Sequence, residues 1–191
     1  MGKKLLIVVE GHTDKDFIEL YAKHLGLELG EKDVQPTGGK DNIQSKAEWI
    51  KPALNKGKRV LIIFDADDDC EKSREHIKEQ LNELGVDSKK CEIFLMPNDS
   101  DFGTLESLLE EIATKKCILK CFDNYVSCIK KVKNENIRTP TKKSKVFAYL
   151  SSFGFKNGIK NFQLNDDMFN LKHPYLDKLK NFLKAHDENV S

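Results

Sequence analysis

The sequence predicts an α/β fold in which a parallel central sheet of about four strands is followed by a mostly helical C-terminal layer. Residues 5–9 and 61–64 are continuously apolar, which is typical of strands that are buried on both faces. Segments with helical periodicity separate the predicted strands, and this alternation favours parallel pairing through right-handed crossovers. We therefore expect an α/β sandwich over the first hundred residues.

The first half of the chain is predicted to alternate strands and helices. A strand over residues 4–9 is followed by a helix that begins near Thr13 and ends at the stop signal Gly26. The next predicted elements are strand 34–37, helix 42–54, strand 59–64, helix 71–84 and strand 91–96.

The alternation stops after Pro97. Residues 105–133 and 144–152 have helical periodicity, residues 161–164 are compatible with a strand, and a last helix is predicted over residues 174–185. The sequence contains neither a repeat nor a Pro/Ser-rich linker. We therefore expect the C-terminal half to pack as a layer on the same core.

Composition indicates a soluble globular protein. Apolar residues make up 39% and charged residues 33% of the 191 residues, which excludes a disordered chain and an integral membrane protein. The longest aliphatic run, residues 5–9, is too short for a membrane span or for the core of a signal peptide. We expect a cytoplasmic protein without a membrane partner.

The five cysteines form no Cys-x-x-Cys pair, and their odd number argues for reduced thiols. Cys117, Cys121 and Cys128 recur at helical spacing among apolar residues. We therefore expect these three side chains to be buried in the packing of a helix rather than to bind a metal.

Charge is distributed unevenly along a chain whose net charge is only +1. Residues 61–111 contain fifteen acidic and five basic residues, whereas residues 115–145 contain ten basic and two acidic residues. This asymmetry suits a protein that holds cations at one place and phosphate groups at another, although a solvated surface would have the same pattern.

Acidic residues follow two of the predicted strands. Glu10 comes directly after the first strand and Asp65 ends the third. Because ligands bind at the carboxyl ends of parallel strands, we expect both carboxylates at one rim of the sheet. Asp67 and Asp69 follow at a spacing of two, which projects them to one side of an extended chain. Such clustered carboxylates call for a cation, and oxygen ligands without a Cys/His cluster favour Mg²⁺ or Mn²⁺.

The Asp cluster has three other interpretations. A calcium loop of the EF-hand type is nearly excluded, because Cys70 and His76 stand where that loop needs Gly and Glu. A phosphatase that uses a strand-end Asp-x-Asp as nucleophile and acid remains open, although it leaves Glu10 without a role. A solvated acidic loop that caps the following helix also remains open.

The two strand ends resemble the toprim domain of topoisomerases, primases and small nucleases. In that domain one apolar strand ends in Glu-Gly, as residues 5–11 do here, and a later one ends in Asp-x-Asp, as residues 61–67 do. Residues 103–109 are similar to a Leu-Glu segment of the overcoming-lysogenization-defect nucleases. That segment and the Gly-Gly-Lys-Asp-Asn of residues 38–42 look closest to stand-alone toprim-related bacterial proteins of unknown function.

The resemblance covers about residues 3–115. It implies a Rossmannoid toprim sandwich with a catalytic core in residues 1–115 and a helical extension in residues 116–191. Glu10 then becomes a metal ligand or general acid/base, and Asp65 and Asp67 become Mg²⁺ ligands. The two-glycine turn before Lys40 is also suited to a backbone nest for a phosphate, or to a plain turn.

The resemblance further implies a second, weaker metal position formed by Asp14, Asp69 and Glu106. Asp14 is equally suited to capping the first helix, and Glu106 to the favourable dipole at a helix start. In related nucleases a lysine on a late helix neutralises the transition-state charge. Lys145, or its neighbour Lys143, is the expected counterpart here, unless both belong to an ordinary basic helix start.

The leading hypothesis is therefore a small nuclease that uses Mg²⁺ or Mn²⁺ to hydrolyse phosphodiester bonds in DNA or RNA. One alternative is a non-catalytic or partner-dependent subunit that binds metal or nucleic acid, as a homodimer or with an ATPase in a defence or toxin-like module. A ribonuclease resembling the ribosomal-RNA maturases is the narrower alternative.

Overall fold

The computed structural model describes residues 5–155 and 167–185. Within these ranges a single sheet of four parallel strands has the order β2-β1-β3-β4. The strands are β1 (Leu5–Val9), β2 (Val34–Pro36), β3 (Arg59–Asp65) and β4 (Cys91–Met96). The predicted α/β fold class with a parallel four-stranded sheet is confirmed.

Seven α-helices lie in the described ranges. They are α1 (His12–His24), α2 (Ala47–Asn55), α3 (Cys70–Glu83), α4 (Leu105–Ile112), α5 (Lys116–Ile129), α6 (Lys142–Ser151) and α7 (Asp177–Ala185). Short 3₁₀ turns at Ile43–Lys46, Ser88–Lys90 and Pro174–Leu176 precede α2, β4 and α7.

Both faces of the sheet are covered, which explains why β1 and the interior of β3 are continuously apolar. Ile7 and Val9 of β1 lie in one buried cluster with residues of α1 and α4. Leu6 and Val8 point to the opposite face and lie in a second cluster with residues of α2 and α3. Successive residues of one strand therefore enter two separate cores, as the alternation of side chains along a strand requires.

The C-terminal helices complete the first of these clusters. Leu119 of α5, Tyr149 of α6 and Leu179 of α7 are buried together with Ile7 of the sheet. The rings of Tyr149 and Phe169 lie 5.4 Å apart between their centroids. These helices thus form a helical layer over one face of the sheet.

The helix predicted over residues 105–133 is interrupted in the structure. Helix α4 ends at Ile112, and Ala113 adopts an extended conformation and pairs with Phe169 in an isolated antiparallel bridge. The Thr114 amide donates to the Met168 carbonyl at 3.0 Å. Periodicity could not reveal this break, because it depends on a segment more than fifty residues away.

The prediction that Cys117, Cys121 and Cys128 are buried was wrong, since all three thiols are exposed. Only Leu119 of α5 is buried. Helix α5 contacts α6, and its three cysteines and Tyr125 lie on its exposed side.

The strand predicted for residues 161–164 lies outside the described residues. In the part of the chain that the structure describes, no helix combines the length and apolarity that crossing a membrane would require.

Candidate active site

Glu10 and Asp65 leave the sheet at the same edge. Strands β1 and β3 are parallel neighbours in which Val9 pairs with Ile63. The carboxyl ends of the two strands therefore lie side by side. The backbone amide of Asp65 lies close enough to the Glu10 carboxylate to lower the pKa of that group. Neighbouring strands therefore bring the two acids together.

Asp65 is the most strongly perturbed acid at this edge. Its Oδ1 accepts a hydrogen bond from the backbone amide of Leu105 at 2.9 Å. Burial raises the pKa of Asp65 to about 9, and the carboxylates of Asp14 and Glu10 add to the rise. The single hydrogen bond does not offset the loss of water and the nearby negative charges.

Glu10 carries an oxygen that lacks a partner. Its Oε2 is buried and accepts no hydrogen bond from any described residue. Burial raises the pKa of Glu10 to about 7, with further contributions from Asp14 and Asp67, while Lys40 acts in the opposite direction. An unpaired buried carboxylate oxygen is costly unless a proton or a cation joins it.

Two further acids come from the first turns of helices. Asp14 of α1 accepts a hydrogen bond from the Gly11 amide at 3.0 Å, so it does cap its helix. Burial raises the pKa of Asp14 to about 6, and Glu106 also raises it. Glu106 of α4 is held at Oε2 by the Thr104 hydroxyl at 2.8 Å.

Electrostatic coupling joins these side chains into one group. The charge of Glu106 raises the pKa values of both Asp14 and Asp65, and the charge of Asp67 raises that of Glu10. We call this group the acidic edge. Its members are Glu10, Asp14, Asp65, Asp67 and Glu106.

Asp67 is fixed in the turn after β3. Its φ of 52° lies in the left-handed region, which Asp tolerates better than most residues. The Asp67 amide donates to the Gly103 carbonyl at 2.9 Å, and Oδ2 accepts a hydrogen bond from Lys40 Nζ at 2.7 Å. Gly103 has a φ of 141°, and a Cβ there would lie 2.8 Å from Ser107 Oγ. The position that accepts the Asp67 amide therefore favours glycine.

The structure places Asp69, a predicted metal ligand, as the cap of α3 and not with the acidic edge. The chain turns between Ala66 and Asp69, where the Asp69 amide donates to the Ala66 carbonyl at 3.2 Å, so the alternation of an extended chain is lost. Asp69 instead caps α3, accepting the amides of Glu71 at 3.0 Å and Lys72 at 3.1 Å. These hydrogen bonds lower the pKa of Asp69.

Lys145 is also placed elsewhere. Its ammonium forms ion pairs with Glu110 and Asp123, each at 2.8 Å, and only 14% of its side chain is exposed. Lys143 also lies on α6, two positions before Lys145. Its charge lowers the pKa of Asp14. The structure therefore favours Lys143 over Lys145 as the basic residue next to the acidic edge.

The backbone nest expected at Gly38 and Gly39 is already occupied. Their amides donate to the Glu10 carbonyl at 2.9 and 3.1 Å, and the Thr37 hydroxyl donates to the same oxygen at 3.1 Å. These groups therefore hold the end of β1 instead of a phosphate. The residue that does reach the acidic edge from this loop is Lys40, through its side chain.

The start of α4 orients two of the acids, which the motifs in the sequence did not indicate. Leu105 fixes Asp65, and Thr104 fixes Glu106. The Thr-x-x-Ser pattern of residues 104–107 is a helix-start signal, and it is the only sequence feature that could have indicated an amide at this position.

A cavity of about 260 Å³ opens beside Asp65 and Asp67. Lys40, Lys72 and His76 contribute to its wall. It gives the acidic edge an opening on the side of α3 that is large enough for a phosphate group.

A protein-family comparison decides the membership of the chain. Residues 3–186 match the model of DUF3226, a family described as proteins of unknown function. The chain belongs to this family. Comparisons with curated proteins and with solved structures found no match.

A divalent cation suits the donors that this DUF3226 member brings to the acidic edge. All are carboxylate oxygens, the hard ligands that Mg²⁺ and Mn²⁺ prefer, and the buried Glu10 Oε2 lacks a partner among the described residues. Within the described ranges no three acidic, His or Cys side chains already stand together as a formed metal site. Lys40 Nζ lies 2.7 Å from Asp67 Oδ2 at the same edge.

Proposed function

We propose that this protein hydrolyses phosphodiester bonds in nucleic acid, with Mg²⁺ or Mn²⁺ held at the acidic edge. The observation that carries the proposal is the buried Oε2 of Glu10, which has no hydrogen-bond partner in the described chain and lies in a group of coupled carboxylates. The resemblance of the ends of β1 and β3 to the toprim motifs supports the same chemistry.

Glu10, Asp65 and Asp67 are the residues that would hold the cation. A bound divalent ion supplies the positive charge that makes a water molecule more acidic and stabilises a leaving oxygen. Where Glu10 does not itself ligate the cation, its pKa of about 7 suits it to accept a proton from the attacking water near neutral pH and to return it to the leaving group.

Asp14 and Glu106 have a supporting role in this proposal. Each carboxylate is oriented by one hydrogen bond, from Gly11 and Thr104 respectively. They add negative charge next to Asp65, which strengthens the attraction of the edge for cations. Their placement is compatible with a second metal position or with this electrostatic contribution alone.

Side chains beside the acidic edge suit a polynucleotide. Lys142 and Lys143 are exposed at the start of α6, and Lys142 Nζ lies 3.4 Å from Ser107 Oγ of α4. Phe102, which is 73% exposed, precedes Gly103 directly. Lysine ammonium groups bind phosphates, and an exposed aromatic ring can stack on a nucleobase.

The phosphatase interpretation of Asp65-x-Asp67 fits less well. It leaves the buried Oε2 of Glu10, which has no partner among the described residues, without a role. Hydrolysis by water uses Glu10 as a ligand or as the base.

The test is cleavage of single-stranded DNA, plasmid DNA and structured RNA by the purified protein in Mg²⁺, Mn²⁺ or EDTA. We expect metal-dependent cleavage that Glu10→Gln lowers by at least about 100-fold. Asp69→Asn is the matched control, since Asn keeps the helix cap. The proposal fails if the wild type cleaves none of these substrates or if Glu10→Gln retains full activity. Preference for structured RNA would favour a maturase-like substrate.

A second candidate function is a nucleic-acid-binding subunit that becomes active only with a partner protein. The exposed face of α5 favours it, because Tyr125 is 51% exposed and Cys117, Cys121 and Cys128 are exposed on the same helix. Cleavage by the purified chain alone would argue against this candidate. Binding of nucleic acid without cleavage would support it.

A further inference from the structure

Lys40 makes a direct contact with the acidic edge. Its Nζ lies 2.7 Å from Asp67 Oδ2. Within the described chain Lys72 pairs with Asp69 at 3.4 Å, and Lys143 acts on Asp14 through its charge. A single ammonium therefore holds one of the three carboxylates that would bind the cation.

The backbone of Lys40 is anchored on both sides. Before it, the amides of Gly38 and Gly39 donate to the Glu10 carbonyl. Its own carbonyl accepts a hydrogen bond from Gln80 Nε2 of α3 at 2.8 Å. The loop thus fixes the Cα of Lys40 relative to both β1 and α3.

The ion pair of Lys40 is open to solvent. Its exposed fraction is 54%, and its partner Asp67 is 38% exposed. Ion pairs as accessible as this one contribute little stability, because water competes for both charges. A fixed backbone with a weakly held ammonium allows the amine to leave Asp67 while it stays beside the site.

We propose that Lys40 is a positioning residue that competes with the divalent cation for Asp67 and, once displaced, binds a phosphate of the substrate. The inference rests on the proposed function, since it concerns the same site. If Asp67 Oδ2 ligated a cation while it accepted the Lys40 ammonium, two positive charges would lie close together, so the ammonium and the metal compete through mutual repulsion. The displaced ammonium faces the cavity beside Asp65 and Asp67, where an anionic group would approach.

Competition predicts that removing the amine strengthens metal binding. In a titration of free Mn²⁺ by electron paramagnetic resonance, we expect Lys40→Met to bind Mn²⁺ about 3- to 10-fold more tightly than the wild type. Lys78→Met is the matched control, because Lys78 pairs with Glu75 of the same helix and does not line the cavity. The Kd of this variant for Mn²⁺ is expected to be unchanged.

A double-mutant cycle separates competition for Asp67 from a general charge effect. In an Asp67→Ala background, Lys40→Met is expected to change the Kd for Mn²⁺ by less than about 2-fold, because the shared carboxylate is gone. An undiminished effect in that background would show that Lys40 acts only through its charge and would overturn the competition.

The phosphate contact has its own readout. We expect Lys40→Met to weaken binding of a single-stranded oligonucleotide in Mn²⁺, and Lys40→Arg to restore it, since Arg keeps the charge. Unchanged oligonucleotide affinity in Lys40→Met would overturn this half of the inference. Equal Mn²⁺ affinity in the wild type and Lys40→Met, with measurable binding in both, overturns the competition alone. No Mn²⁺ binding to either protein overturns the proposed function and this inference with it.

Discussion

The carboxylate of Asp65 accepts a hydrogen bond from the backbone amide of Leu105, at 2.9 Å between Oδ1 and N. This bond ties the end of β3 to the first residue of α4, where the helix dipole favours a negative charge. Burial nevertheless raises the pKa of Asp65 to about 9, so desolvation outweighs the hydrogen bond. The fold therefore holds an acid in a place where its charge is costly until a cation offsets it.

The variant Asp65→Asn is expected to unfold at a higher temperature than the wild type at pH 8. Folding raises the pKa of Asp65 from the ordinary value of 3.8 to about 9. Between these values the native state binds more protons than the unfolded state, so stability falls as pH rises through that window. Asn removes this loss and still offers Oδ1 to Leu105. A gain of at least about 1.4 kcal/mol, the equivalent of one pKa unit, is expected.

Thermal unfolding in EDTA from pH 4 to pH 9 measures this effect. The difference in Tm between Asp65→Asn and the wild type should grow with pH, by about 2–4 °C for each kcal/mol. Asp69→Asn provides the opposite control, because the pKa of Asp69 is lowered and its contribution is lost only as pH falls. A difference for Asp65→Asn that does not vary with pH would contradict the prediction.

Asp67→Asn and Asp69→Asn should separate a ligand from a helix cap. Both change one oxygen acceptor in the turn after β3, but only Asp67 belongs to the acidic edge. We expect Asp67→Asn to weaken Mn²⁺ binding at least about 10-fold, the range seen for perturbed metal sites. Asp69→Asn should bind Mn²⁺ as the wild type does, because Asn also caps helices well. Isothermal titration calorimetry measures both, and weaker binding by Asp69→Asn would restore Asp69 as a ligand.

Lys145→Met should lower stability more than catalysis. Loss of the amine leaves Glu110 and Asp123 without their ion-pair partner, and Glu110 already has a buried Oε1 without a hydrogen bond from the described residues. A loss of about 1–3 kcal/mol in the free energy of unfolding is expected.

Lys143→Met is the comparison, because Lys143 is exposed and its charge lowers the pKa of Asp14. It should leave stability nearly unchanged and lower kcat in a cleavage assay. Urea unfolding measures the stability of both variants, and a cleavage assay measures their kcat. A loss of kcat in Lys145→Met at temperatures where the variant is folded would return the catalytic role to Lys145.

Phe102→Ala should weaken the binding of single-stranded nucleic acid. The ring is 73% exposed and stands directly before Gly103, whose carbonyl holds Asp67. Stacking on one base is worth about 1–3 kcal/mol, so KM should rise about 5- to 150-fold while Phe102→Tyr stays close to the wild type. Tyr125→Ala removes an exposed aromatic from α5 and serves as the control. An equal effect of both alanine variants would exclude a specific stacking role for Phe102.

The sheet was predictable because its strands carry strong local signals. Strand β4 was expected at residues 91–96 and covers Cys91–Met96, and β3 extends one residue beyond its expected end to Asp65. Less could be predicted after Pro97. The break between α4 and α5 depends on a bridge from Ala113 to Phe169, a contact that no local pattern encodes.

The site was predictable as far as strand ends determine it. Glu10 and Asp65 follow from the order of neighbouring parallel strands. Asp69 could not be assigned from spacing, because its turn replaces an extended chain, and Lys145 could not be assigned without knowing that α6 faces Glu110. The ion pair between Lys40 and Asp67 joins residues 27 positions apart and is visible only in the fold.

Anomalous diffraction from crystals grown in Mn²⁺ is the most direct test of whether Glu10, Asp65 and Asp67 share one cation. The account predicts a peak at the acidic edge, about 2.1 Å from oxygens of Glu10 and of at least one of the two aspartates, with Lys40 turned away from Asp67. Peaks confined to other carboxylates, with the ion pair between Lys40 and Asp67 intact and the acidic edge empty at saturating Mn²⁺, would contradict it.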